Sequence, residues 1–126
     1  MILMGKKFVR PAIETMARAI MDFEGWFEGS VSQRNNNPGN LKFAGQPGAT
    51  GSDSQGHAIF SSFDAGWNAL INQLNIAFSG ASRVYNPQMS LVQFFSKYAE
   101  AYSGPYAQYV ADRLGVTPGT RLNEIV

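Results

Sequence analysis

The chain has 126 residues, of which 44% are apolar and 15% charged, and its formal net charge is +1. This length allows one domain with a substantial core and is too short for two. The small net charge argues against nucleic-acid binding, which usually requires a concentrated basic surface. Cysteine is absent, which excludes disulfides, thiolate metal sites and a cysteine nucleophile. The single histidine, His57, argues against a histidine-rich metal site and a Ser-His-Asp triad.

The N-terminal segment is predicted to be a flexible lead-in over residues 1–7, followed by a single domain over residues 8–126. Lys6 and Lys7 interrupt the apolar residues of this segment, so it does not match a signal peptide. No apolar stretch reaches the length of a transmembrane helix. We therefore expect no membrane insertion.

The first strongly periodic stretch predicts an α-helix over residues 8–27. Its apolar residues recur in steps of three and four, at Val9, Ile13, Met16, Ile20, Phe23 and Phe27. Gly25 and Gly29 are expected to weaken and end this helix, which puts Glu24 at its end and at the edge of its apolar face. Burial beside aromatic residues would raise the pKa of Glu24 and allow it to act as a general acid. The alternative is a glutamate that caps the helix or forms a salt bridge there.

A loop is predicted over residues 28–38. It leads into a polar segment with the sequence Arg-Asn-Asn-Asn-Pro-Gly-Asn-Leu over residues 34–41. Pro38 and Gly39 suit the central positions of a type II turn. The asparagines supply many amide donors and acceptors, which indicates a surface for hydroxyl and N-acetyl groups. The alternative is a rigid turn whose asparagines only order a hairpin.

A β-hairpin is predicted next, between residues 40–43 and residues 57–60. The intervening loop, residues 44–56, is rich in glycine, and loops of this length often carry function. Asp53 in this loop is the best candidate for a second catalytic carboxylate. An inverting glycosidase needs such a base about 6.5–9.5 Å from its acid. The alternative is an aspartate that forms a turn.

Three further helices are predicted, over residues 63–78, 91–102 and 105–114. Gly80 and Gly115 are expected to end the first and the third. Gly66 is expected to permit close packing of the first on its neighbour, and Tyr106 to lie on the apolar face of the third. Ser61 followed by Asp64 resembles a capping box for the first, and Ser90 caps the second. Tyr98 and Tyr102 lie one turn apart in the second helix and are expected to project together toward a saccharide groove, or simply to pack. The fold class is therefore α+β, mostly helical, with one small β-hairpin after the first long helix.

The Glu-Gly pair at the end of a long helix, followed by Arg-Asn-Asn-Asn-Pro-Gly-Asn-Leu, resembles a bacterial and phage group of lysozyme-like proteins. The similarity extends through the sequences Gly-Gln-Pro-Gly-Ala-Thr-Gly at residues 45–51 and Gly-His-Ala-Ile-Phe at residues 56–60. It continues at Ala-Gly-Trp, residues 65–67, and covers most of residues 8–122. This group is related to goose-type lysozymes and lytic transglycosylases. The resemblance implies a lysozyme-like fold, a peptidoglycan substrate and Glu24 as the catalytic acid.

The resemblance further implies that Glu24 protonates the glycosidic oxygen between N-acetylmuramic acid and N-acetylglucosamine. Two outcomes then remain open. A water activated by a second carboxylate, at best Asp53, would give hydrolysis, whereas attack by the muramic acid 6-hydroxyl would give a 1,6-anhydro product. The second outcome needs one carboxylate only and is slightly favoured. The residues expected to bind the sugars are Asn37, Asn40, Gln46, Tyr98 and Tyr102.

No metal or cofactor is implied. The protein is expected to be a monomer that acts on the glycan strands of the cell wall. Its place of action would be the periplasm, the exterior of the cell or a virion. The alternative from another class is a non-catalytic cell-wall-binding or phage virion structural module that keeps the same fold.

Overall fold

The computed structural model describes residues 11–125, so the predicted lead-in over residues 1–7 lies outside the described residues. In chain order the elements are α1 (Pro11–Glu24), α2 (Val31–Arg34), β1 (Ala49–Ser52), β2 (Ala58–Phe60), α3 (Phe63–Ser79), α4 (Leu91–Tyr98), α5 (Ser103–Leu114) and a 3₁₀ turn (Leu122–Glu124). The two strands form one antiparallel sheet. The predicted class, α+β and mostly helical, is confirmed.

Helix α1 buries one face, as its periodicity predicts, and Ile13, Met16 and Ile20 are almost fully inaccessible. It ends at Glu24 because Gly25 adopts a left-handed conformation (φ 89°), which glycine reaches without steric cost. The helix therefore ends three residues before the predicted limit at Phe27.

The core forms where α5 packs against both α1 and α4, while α1 also contacts α3. Aromatic rings occupy the junction between α1, α4 and α5. The Tyr106 ring of α5 stacks on Phe23 with centroids 4.1 Å apart and on Phe95 with centroids 4.3 Å apart. Tyr106 is only 2% exposed, so its ring is held in one place by packing from both sides.

The segment after α1 was predicted to be a loop over residues 28–38, and this is wrong in part because it contains the short helix α2. Ser30 is its N-cap, and the Ser30 side chain accepts a hydrogen bond from the backbone N–H of Gln33. The chain then passes beneath α3 at Gly66. A Cβ at Gly66 would lie 1.8 Å from the carbonyl oxygen of Asn36, so only glycine permits this approach. The predicted role of Gly66 in close packing is therefore confirmed.

The hairpin exists, but the predicted first strand is wrong. The partner of β2 is Ala49–Ser52, from within the predicted loop, whereas residues 40–43 contribute one isolated bridge between Lys42 and His57. Asn40 has a left-handed backbone (φ 50°), which prevents a regular strand there. The exposure of the β1 residues does alternate, but the strand consists of Ala-Thr-Gly-Ser and has no large apolar side chain that would reveal this alternation in the sequence.

Two other boundaries also differ from those predicted. The N-cap of α3 is Ser62, whose side chain accepts from the backbone N–H of Ala65, and not Ser61. Helix α4 begins after Ser90 as expected but ends at Tyr98, because the next residue turns to extended backbone. Tyr102 lies in the connection to α5 with a left-handed backbone (φ 57°), so Tyr98 and Tyr102 are not on one helical face.

Between residues 11 and 125, none of the helices combines the length and the apolar character that crossing a membrane would require.

Candidate functional site

A cleft of about 570 Å³ opens beside the end of α1. One side is formed by the segment that leads from the asparagine-rich turn toward the hairpin. The other side is formed by the end of α4, the connection to α5 and the start of α5. The polar side chains that line it are those of Glu24, Asn40, Lys42, Gln46, Gln73, Tyr85, Lys97, Tyr98, Glu100, Tyr102 and Tyr106. The cleft thus combines two carboxylates with several amide, phenol and ammonium groups.

Glu24 lies at one wall of this cleft with both carboxylate oxygens engaged. The hydroxyl of Tyr106 donates to Oε2 at 2.8 Å, and the Asn40 Nδ2 amide donates to Oε1 at 3.3 Å. Burial raises the pKa of Glu24, and the two hydrogen bonds only partly offset this effect because they favour the charged form. The predicted placement of Glu24, half-buried at a helix end, is therefore confirmed, and so is the expected direction of its pKa.

Tyr106 was not identified from the sequence as a site residue, although it was expected to face the core. It is separated from Glu24 by 82 residues, and no local pattern connects the two. Burial raises the pKa of the Tyr106 hydroxyl, so this group stays protonated and acts as a hydrogen-bond donor.

Asn40 lies beside Glu24 and lines the cleft, where it was predicted to bind sugar. Its left-handed backbone is a conformation that asparagine tolerates better than most residues. Asn40 Oδ1 is buried and has no hydrogen-bond partner within residues 11–125. Its amide nitrogen therefore fixes the acid, while its amide oxygen is left without a hydrogen bond.

The structure does not bring Asn37 into the cleft lining. Asn37 is fully buried, and its Nδ2 amide donates to the carbonyl oxygens of Leu41 at 2.9 Å and Ala58 at 3.0 Å. Its Oδ1 accepts from the backbone N–H of Leu41 at 2.9 Å. In this arrangement Asn37 ties the turn to strand β2.

Asp53 is also absent from the cleft lining, and its carboxylate is occupied within the hairpin loop. It accepts hydrogen bonds from the backbone N–H groups of Gln55 and His57, both at 2.9 Å, and from the Asn35 side chain at 3.0 Å. Desolvation alone would raise the pKa of Asp53, but these hydrogen bonds lower it to about 2. The geometry is that of a turn-forming aspartate.

The other predicted binding residues all line the cleft but differ in availability. Gln46 bonds within its own loop, donating to the Lys42 carbonyl and accepting from the Ala44 N–H, both at 2.8 Å. The Tyr98 hydroxyl donates to the Gly39 carbonyl at 2.6 Å. Tyr102 is 77% exposed, so its ring and hydroxyl are available to a ligand.

A second carboxylate in the lining, Glu100, was not identified from the sequence. It lies just after α4 and reaches Lys42 Nζ at 2.5 Å and His57 Nε2 at 3.5 Å. The Lys42 ammonium, and to a smaller extent His57, lower the pKa of Glu100. The acidic residue stands directly after the Lys-Tyr-Ala sequence at residues 97–99 and carries no local sign of a role.

Within residues 11–125, no group of three or more His, Asp and Glu side chains is arranged to hold a metal ion. No protein-family model, curated protein or solved structure matches the chain.

Proposed function

We propose that this protein is a lysozyme-like enzyme that cleaves the β-1,4 linkage between N-acetylmuramic acid and N-acetylglucosamine in peptidoglycan. The observation that carries the proposal is Glu24: a half-buried carboxyl with a raised pKa, at a helix end, facing a cleft. A raised pKa lets a carboxyl keep its proton to higher pH than usual, and that proton can pass to a glycosidic oxygen as the bond breaks. The resemblance of residues 34–41 to lysozyme-like proteins supplies the substrate class.

Two features of the cleft support a saccharide ligand. The cleft presents amide, hydroxyl and phenol groups, which hydrogen-bond sugar hydroxyls and N-acetyl groups. The exposed ring of Tyr102 offers a surface on which a pyranose can stack. The proposed place of action is therefore the cell wall, reached from the periplasm, the exterior or a virion.

The mechanism assigns separate roles to the groups around the acid. Tyr106 and Asn40 orient the two oxygens of Glu24, so that its proton is presented in a fixed direction. Transfer of that proton to the leaving oxygen allows the sugar ring to develop oxocarbenium character. The two hydrogen bonds then stabilise the Glu24 carboxylate that remains.

The test is mass spectrometry of fragments released from purified peptidoglycan by the wild-type protein, Glu24→Gln and Glu28→Gln. Glu28 is an exposed carboxylate four residues away, so the control removes the same charge outside the cleft. We expect Glu24→Gln to lose about 100-fold or more of the rate, and Glu28→Gln to match wild type.

Retention of full activity by Glu24→Gln would overturn the assignment of the acid. A folded wild-type protein that binds peptidoglycan but releases no fragments would instead identify a non-catalytic cell-wall-binding or virion module.

A further inference from the structure

Glu100 connects the two sides of the cleft. It belongs to the connection between α4 and α5, yet its side chain reaches Lys42 and His57, which pair with each other in an isolated bridge next to the hairpin. Its side chain is 64% exposed, so solvent and ligand can reach the carboxylate. Glu100 is thus held at a defined point of the cleft without being covered.

The two carboxylates of the cleft lie against nearly adjacent positions of one segment. Glu24 is contacted by Asn40, and Glu100 is contacted by Lys42, two residues further along the chain. Glu24 and Glu100 therefore line the same cleft, each with its own partners. The Glu100 charge adds to the raised pKa of Glu24, of which burial is the largest cause.

Their surroundings favour opposite protonation states. Burial favours the neutral form of Glu24, whereas the Lys42 ammonium favours the ionised form of Glu100. Paired carboxyl groups whose environments separate their pKa values in this way serve as acid and base. Asp53 lacks this relation to the cleft, and its carboxylate instead contacts His57 Nδ1 at 3.2 Å, while His57 Nε2 faces Glu100. Asp53 therefore holds the hairpin loop and the His57 ring in place and does not face the cleft.

We infer that Glu100 is the second catalytic carboxylate of the cleft and accepts a proton from the water that attacks the sugar, which makes the reaction a hydrolysis. This inference rests on the proposed function. The bond between the anomeric carbon and the leaving oxygen breaks as Glu24 gives its proton to that oxygen. The water oxygen bonds to the anomeric carbon and its proton passes to Glu100. Solvent then restores the proton of Glu24 and removes that of Glu100, so that one water is consumed per bond cleaved.

The chemistry predicts a specific product. A water that attacks from the side opposite the leaving group inverts the anomeric carbon, so a β-linked strand gives an α-anomeric reducing end first. Proton NMR of fresh digests of a soluble peptidoglycan oligosaccharide reports the anomer. Mass spectrometry of the same digests distinguishes reducing ends from 1,6-anhydro ends.

The decisive variant is Glu100→Ala, compared with Glu28→Ala and assayed with and without sodium azide. We expect Glu100→Ala to lose about 100-fold or more of the hydrolysis rate. Azide bonds to the anomeric carbon without releasing a proton, so it needs no base and should restore turnover with a glycosyl azide as product. A merely structural role for Glu100 would not produce that compound.

Lys42→Met tests the same inference through the pH profile, in which Lys42, His57 and Glu24 are the titratable groups that interact with Glu100. The base must be ionised, so the rate rises as pH rises through its pKa. Because Lys42 lowers that pKa, its removal should move the acidic limb of the profile to higher pH.

Three results would overturn the role of Glu100. Products with 1,6-anhydro ends, released by wild type and not by Glu24→Gln, would overturn it and would leave the proposed function intact. A Glu100→Ala variant as active as wild type would also overturn the role of Glu100 and leave the proposed function intact. If the wild-type protein does not cleave peptidoglycan, both the proposed function and the role of Glu100 are wrong.

Discussion

At the scale of single residues, the behaviour of Glu24 depends on a balance between burial and two hydrogen bonds. Burial favours its neutral form, whereas Tyr106 and Asn40 favour its charged form. The Tyr106 hydrogen bond is the shorter of the two, with 2.8 Å between its hydroxyl and the carboxylate. The Tyr106 ring is also fixed between two aromatic side chains. Tyr106 is therefore the residue that most directly tunes the acid.

We predict that Tyr106→Phe moves the alkaline limb of the pH–rate profile to higher pH. The acid must be protonated, so activity falls as pH rises through its pKa, and loss of the Tyr106 donor raises that pKa further. The profile is measured with soluble peptidoglycan fragments. Tyr109→Phe is the control, because the Tyr109 hydroxyl pairs with Arg113 and not with Glu24. A limb that stays in place or moves to lower pH in Tyr106→Phe would contradict this account.

At the scale of elements, close contacts between α3 and the asparagine-rich turn position the segment that forms one side of the cleft. Gly66 permits one such contact, and Gly39 permits another, since a Cβ there would lie 2.8 Å from Leu70 and 2.9 Å from the Tyr98 hydroxyl. These two glycines therefore set how close the turn that carries Asn40 lies to the helices.

We predict that Gly66→Ala lowers the free energy of unfolding by about 3 kcal/mol or more, because the new methyl group must displace the backbone carbonyl of Asn36. Urea unfolding followed by circular dichroism measures the change. Gly51→Ala is the matched control, since a Cβ at Gly51 meets nothing within 4 Å and its φ is not positive. The control is expected to change stability by less than about 1 kcal/mol, and equal losses in the two variants would contradict the packing argument.

At the scale of the whole molecule, two carboxyl groups make opposite contributions to the pH dependence of stability. Glu24 has a raised pKa in the folded protein, so its contribution is fully present below its ordinary pKa and is lost as pH rises through the folded value. Asp53 has a pKa lowered to about 2, so its contribution is present above its ordinary value of 3.8 and is lost as pH falls toward 2.

We therefore predict that Glu24→Gln gains stability relative to wild type as pH rises above the ordinary glutamate value of 4.5, because it avoids the burial of a charge. Asp53→Asn should be less stable than wild type at pH 7, with the difference closing as pH approaches 2. Urea titrations across this pH range measure both differences. A pH-independent difference for either variant would show that its carboxyl group has the same pKa in the folded and unfolded protein.

Local patterns predicted the four longer helices and one half of the site, but they missed the short helix α2 and several helix boundaries. The positions of α1, α3 and α5 follow from apolar periodicity and from glycines that take left-handed conformations at Gly25, Gly80 and Gly115. These determinants act within one or two turns, so they can be recognised in the sequence alone. They were sufficient to place Glu24 at a helix end beside the cleft.

The remaining half of the site depends on contacts between distant parts of the chain. Strand β1 has no large apolar residue to mark it in the sequence, and its partner β2 is separated from it by the loop that contains Asp53. Asp53 was the best second carboxylate by position in the sequence, but three hydrogen bonds occupy it in its own loop.

The sequence by itself thus determined the helical class, the approximate positions of the main helices and the identity of the candidate acid, because these depend on local backbone preferences and apolar spacing. The tertiary structure alone decided that Tyr106 donates to Glu24 across 82 residues, and that Glu100 joins Lys42 and His57 at the cleft. The physical reason is that hydrogen bonds and ion pairs depend on distance in space, which packing of the helices sets and which no local pattern records.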